Sequence, residues 1–270
     1  MKQPEISYRQ SAAMRSAKER LVSGWLRIWR RQKLQSRLSG TTVSVVLTSC
    51  GRPDLLIRTL DSFFRFNTYP VSQFIVVEDG PTVLDVLFTC PFPCPHDLIC
   101  TGERVGQIAA IDYAYSRVNS EYIFHLEDDW EFYAPHFIEK SMILLERHPK
   151  CLQVYLRAVD DTNGHPVARR IHKDDHVRWR RIQYGFVAFG GEWNGFSFNP
   201  GLRRMADYVA IGGYGIHAVT ASSQHGFAEI ALSTRYRKER MFAAILCDRR
   251  GAGYVRHIGW GRTVSSEQIP

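Results

Sequence analysis

The chain has 270 residues, 44% hydrophobic and 12% aromatic, too apolar for global disorder, with a formal net charge of +8. Residues 1–40 hold ten Lys and Arg side chains against two acids, so the excess sits in that arm and the rest of the chain is neutral. No apolar run approaches the roughly 18 residues of a spanning helix, and basic residues interrupt the N-terminus too often for a secretory leader.

The periodicity predicts a helix over residues 11–38. Leu21, Val22, Trp25, Leu26, Ile28 and Trp29 cluster on one face, and Arg20, Arg27, Arg30 and Arg31 fall opposite. An apolar-aromatic face backed by cations is the pattern of a helix lying in a membrane interface. The body then opens on a β-branched strand, Val43–Thr48, suited to a buried parallel sheet. Gly51-Arg52-Pro53-Asp54 turns into a predicted helix, Leu55–Phe66, with Pro and Asp at its start. Strands follow at Gln73–Val77, ending in Glu78-Asp79-Gly80, and at Asp97–Cys100. A helix from Gln107 to Val118 leads to the strand Tyr122–Leu126, which ends in Glu127-Asp128-Asp129. Residues 136–147 read as helix and Leu152–Arg157 as strand. Beyond residue 160 come Gly- and Trp-rich loops, a helix at Phe227–Glu239 and a strand at Phe242–Leu246.

Alternating strands and helices predict an α/β, mostly parallel, doubly wound sheet. Such sheets bind ligands at the carboxyl ends of their strands, where Glu78-Asp79 and Glu127-Asp128-Asp129 lie. The six cysteines are sparse and scattered, which suits a reducing cytosol. Cys90-Pro-Phe-Pro-Cys94 with Cys100 reads as a rigid loop rather than a zinc site, lacking a CxxC pair.

Three successive carboxylates crowd like charges, and a divalent cation relieves the crowding. Mg²⁺ or Mn²⁺ takes hard oxygen ligands and commonly bridges one or two carboxylates to a diphosphate. Val43–Gly80, Arg104-Val105-Gly106-Gln107 and Leu126-Glu127-Asp128-Asp129-Trp130-Glu131-Phe132 together resemble the GT-A (Rossmann-like) glycosyltransferases, particularly the large family 2 group. The acidic stretch through Pro135 and Phe137 also resembles the N-acetylglucosaminyltransferase I type. The resemblance covers residues 43–150 and, beyond them, short motifs.

The resemblance implies a nucleotide-sugar donor, UDP-linked by preference, and a glycan or glycolipid acceptor. Asp79 would accept from the nucleobase, and Thr48 and Ser49 would line its pocket through the backbone. Gly106 and Gln107 would let the chain approach the nucleotide sugar. Glu127 would contact ribose or donor-sugar hydroxyls, Asp128 would hold the ribose or assist the metal, Asp129 would bind the metal directly, and His257 after the last strand would complete its coordination. Ala228-Glu229-Ile230-Ala231-Leu232 resembles the family's catalytic-base helix, with Glu229 as base and alanines replacing the flanking acids. The segment Trp193–Gly201, between the metal motif and the base, would be the acceptor loop, with Trp193, Asn194 and Phe196 as contacts.

The expected organisation is a basic arm at 1–40 and a catalytic domain at 41–270. Within it, 41–132 would bind the donor, 133–256 the acceptor, and 257–270 would form a flexible tail. The expected product stereochemistry is inversion by single displacement. Localisation is expected at the cytosolic face of a membrane, held on anionic lipid by residues 11–38, with no nucleic acid partner. The competing readings are a nucleotidyltransferase of similar architecture, a nucleic-acid-binding protein and a non-catalytic relative.

Overall fold

The computed structural model describes residues 40–81, 92–162, 164–187, 191–193, 195–218 and 227–262. The predicted helix at 11–38, Cys90, Asn194 and the tail beyond 262 lie outside the described residues.

The β-branched run becomes β1 (Val43–Ser49), every residue of which is buried. Burial on both faces is the environment such a run requires. α1 (Pro53–Phe66) follows, started by its N-terminal proline, and lays Leu55, Leu56, Leu60, Phe63 and Phe64 on the core. Phe63 packs against Phe64, Phe74, Phe124, Phe132 and Phe137 with centroid distances of 5.3–5.8 Å. β2 (Gln73–Glu78) and β3 (His96–Cys100) extend the sheet in parallel beside β1. α2 (Gln107–Tyr115) returns the chain to β4 (Tyr122–Glu127), on the other side of β1.

β5 (Trp130–Phe132) and α3 (Phe137–Arg147) precede β6 (Cys151–Tyr155). β7 (His172–Asp174) and β8 (Val177–Arg181) close the far edge, and β9 (Gly185–Val187) with β10 (Gly191–Trp193) forms a separate ribbon. β11 (Gly201–Arg204), α4 (Met205–Ala210), α5 (Gly215–Ala218), α6 (Phe227–Lys238), β12 (Phe242–Leu246) and β13 (Val255–His257) complete the chain.

The main sheet has nine strands in the order β3-β2-β1-β4-β11-β6-β12-β8-β7. β11 lies antiparallel to both β4 and β6, and β8 is antiparallel to both β12 and β7. The other strands run in one common direction, so the expected mostly parallel α/β sheet is observed. Register pairs Ser49 with Glu78, Glu78 with Cys100 and Thr48 with Glu127, which lines the carboxyl ends of β1–β4 along one edge. Among the described residues no helix is long and apolar enough to cross a membrane.

Candidate active site

The acidic turn after β4 is fastened from below by α1. Thr59 and Ser62, one turn apart and buried, face the backbone of this turn. The Thr59 hydroxyl donates to the Asp128 carbonyl (2.6 Å) and accepts from Trp130 N–H (3.0 Å). The Ser62 hydroxyl accepts from Phe132 N–H (3.0 Å). From above, β13 pairs antiparallel with β5 and sets His257 opposite Trp130.

Asp128 is 1% exposed. It accepts from the Ser49 hydroxyl (3.1 Å) and from Arg52 Nε (3.2 Å), and a second guanidinium nitrogen of Arg52 pairs with its other oxygen. Burial pushes the Asp128 carboxyl up to about 6, against the opposing pull of Arg52. The same guanidinium reaches Asp129 Oδ2 at 2.9 Å, and His257 Nε2 lies 3.2 Å from that oxygen. Burial alone would raise the Asp129 carboxyl, but the His257 hydrogen bond and the Arg52 charge hold it below the usual range. Arg52 therefore bridges both acids as a resident countercharge.

Glu127 accepts from Gln107 Nε2 (2.8 Å) and Trp130 Nε1 (3.3 Å). Its carboxyl is raised by burial first, then by the charges of Asp129 and Glu229. Glu229, in the first turn of α6, accepts from the Ser197 hydroxyl (2.9 Å) and Phe198 N–H (2.7 Å), both at Oε1. Burial raises it as well.

The other expected residues are held by hydrogen bonds within the fold or by packing. Asp79 accepts from the backbone N–H groups of Val105 (2.7 Å) and Gly106 (3.0 Å), clasping the loop before α2. Gly106, at φ 90°, has the left-handed backbone that this turn requires. The Ser49 carbonyl accepts from Asp79 N–H (2.8 Å), and its hydroxyl donates to Asp128 (3.1 Å). Thr48 is buried in the β1 ladder. Trp193 and Phe196 are interior residues, 1% and 0% exposed, and neither offers a ring face to an acceptor. Trp193 donates from Nε1 to the Phe196 carbonyl (2.7 Å) and stacks on His165 at 3.9 Å. In a Gly-rich segment, a packed aromatic and a sugar-stacking aromatic look alike.

Arg52 is a site residue that belongs to no sequence motif. A signal was available: buried acids after β4 need a counter-cation, and the turn after β1 faces them with one base. The C-terminal segment adds a latch. Ile258 N–H donates to the Asp129 carbonyl (2.8 Å), Arg52 donates to the Arg262 carbonyl (3.4 Å), and Arg262 pairs with Asp54. A Cβ at Gly259 would stand 2.6 Å from Asp129 Oδ2, so only glycine fits there.

The donors that meet at this point are one carboxylate oxygen, Asp129 Oδ2, and one imidazole nitrogen, His257 Nε2, both of which can ligate a divalent cation. Among the described residues no three His, Cys, Asp or Glu side chains form a ready metal cluster, so diphosphate oxygens would have to complete the shell. Cys94 is a free thiol, and Cys100 Sγ donates to the Gly80 carbonyl (3.0 Å).

A mostly parallel sheet of this order, with carboxylates gathered at its carboxyl edge, is the architecture of the GT-A glycosyltransferases. The chain belongs to glycosyl transferase family 2, whose model matches residues 44–209. Among solved structures, residues 1–349 of S. aureus TarS in complex with UDP are similar, with TM-score 0.53 and 12% identity. That match covers 79% of this chain and 59% of TarS 1–349. The mannosyltransferase PcManGT from Pyrobaculum calidifontis, in complex with GDP-Man and Mn2+, gives TM-score 0.52 and 12% identity, covering 89% of this chain and 69% of that one. At such identity the likeness speaks for the fold alone. No curated protein matches the chain by sequence.

Proposed function

We propose that the protein is a metal-dependent, inverting glycosyltransferase. It would move a hexosyl group from a nucleotide sugar, a UDP-sugar by preference, to a hydroxyl of a glycan or glycolipid. The observation that supports this reading is the pairing of His257 with Asp129 in the acidic turn that follows β4, at the carboxyl edge of the sheet. The UDP and GDP-Man complexes of the similar structures support the donor class.

Asp129 and His257 would hold Mn²⁺ or Mg²⁺, which when bound supplies positive charge to the donor diphosphate and makes it a better leaving group. Asp79 orders the Val105–Gly106 backbone at the nucleotide end, and Gln107 orients Glu127 for the hydroxyls of the donor. Asp128, neutralised by Arg52, keeps the turn in place. Glu229 takes the proton of the acceptor hydroxyl as its oxygen attacks the anomeric carbon. The bond from that carbon to the diphosphate oxygen breaks on the opposite face, and the diphosphate leaves with the electron pair. One displacement inverts the anomeric centre.

Binding and hydrolysis screened across UDP-, GDP- and dTDP-sugars with Mn²⁺ tests this reading. At least one donor should bind only with metal present, and binding of none would overturn it.

The arm has a second assignment: residues 11–38 hold the enzyme on an anionic membrane at its cytosolic face. Deleting residues 1–40 should release the protein from vesicles containing anionic lipid and leave donor affinity unchanged. Equal vesicle binding by the shortened chain would overturn the assignment.

A further inference from the structure

Arg203 lies on β11 in the middle of the sheet and is 2% exposed. A buried guanidinium normally sits against a carboxylate, because an uncompensated charge there is expensive. Here its contacts among the described residues are neutral. Nη2 donates to the Ser197 carbonyl (3.2 Å), Nη1 to the Tyr214 hydroxyl (3.5 Å), and the guanidinium lies 5.3 Å from the Phe196 ring centroid. Nε is buried without a hydrogen-bond partner.

What Arg203 grips explains its position. Ser197, whose carbonyl it holds, donates its hydroxyl to Glu229, and the next residue supplies the other donor through Phe198 N–H. The same segment is tied to α6 a second time, four residues beyond Glu229, where the Ser233 hydroxyl accepts from Phe196 N–H (3.0 Å). Tyr155 adds a bond to the Gly195 carbonyl (3.2 Å). Residues 195–198 are thus clamped between the sheet and the helix that carries Glu229. Arg203 is the charged member of the clamp, and its charge also works against the burial that raises the Glu229 carboxyl.

We infer that Arg203 is a positioning residue for glycosyl transfer, setting through Ser197 where the Glu229 carboxylate is held. The inference rests on the reading of Glu229 as the base. Misplacing a catalytic group by about 1 Å can lower turnover on the order of 10²-fold, which is the scale to expect.

The test uses the full chain, a donor that passes the screen above, and Mn²⁺. Arg203→Met should lower kcat by roughly 10- to 100-fold. Its Kd for the matching nucleoside diphosphate should stay within about twofold, since nothing on β1 or β4 has changed. Arg203→Lys, which keeps a charge, should recover part of the loss. Ser197→Ala should lower kcat comparably, and the double variant should fall no further than the worse single one, because both act through one path. Native kcat in either single variant, or losses that multiply in the double variant, would overturn the inference. If Arg203→Met fails to fold, Arg203→Lys takes its place in the same comparison with Ser197→Ala and the double variant. Glu229→Gln separates the two levels. Undiminished turnover there sinks the base assignment itself, whereas its loss beside a native Arg203→Met sinks only the inference about Arg203.

Discussion

Replacing Asp129 by Asn should abolish metal-dependent binding of the nucleoside diphosphate and lower turnover by about 10³-fold or more, the worth of several kcal/mol of charge stabilisation. Asn preserves the shape and can still accept from Arg52 and His257, so the local packing survives. Arg52 also retains Asp128, whose partners Ser49 and Thr59 are untouched. What is lost is the anionic oxygen that, with His257, forms the side-chain half of the proposed metal shell. Calorimetric titration with and without Mn²⁺ checks the result independently of turnover. An Asn variant that still gains affinity from Mn²⁺ would remove Asp129 from the metal site.

Glu229→Gln should be the opposite kind of variant, with donor binding intact and kcat down by about 10²–10⁴-fold, the usual contribution of a positioned general base. Gln retains the bonds from Ser197 and Phe198 but cannot take a proton. The wild-type pH profile carries a linked expectation. Burial raises the Glu229 carboxyl above its ordinary value of 4.5, and the base works only when ionised. Turnover should therefore fall as pH drops through a point above 4.5, and the residual activity of the Gln variant should lack that limb. Turnover at the native level in the variant would leave Glu229 a helix-start acid satisfying the dipole.

Much of this architecture is legible in the residues because their signals are local. Val43–Thr48 is β-branched and continuous, Leu55–Phe66 repeats at helical spacing behind a proline, and acids follow two apolar strands in the same way. The turn chemistry around Gly106 and the helix beginning near Glu229 are likewise written in short stretches. β11 is not, since four residues, two of them arginines, have no strand pattern of their own and become a strand only between β4 and β6. The bridging role of Arg52 and the hold of Arg203 on Ser197 also join residues distant in sequence. Trp193 and Phe196 illustrate the converse, an aromatic composition that suits a sugar-binding surface but is taken up by packing.

The placement of β11 has a consequence for how the polypeptide emerges from the ribosome. β4 pairs with β1 on one side, but its other edge stays open until Gly201–Arg204 has been synthesised and inserted in reverse. β6 waits for the same strand. The nascent N-terminal half therefore leaves the exit tunnel with one edge of the six-residue β4 uncovered, the condition that invites strand-to-strand aggregation. Closing the sheet by a contact so remote in sequence also argues for slow folding.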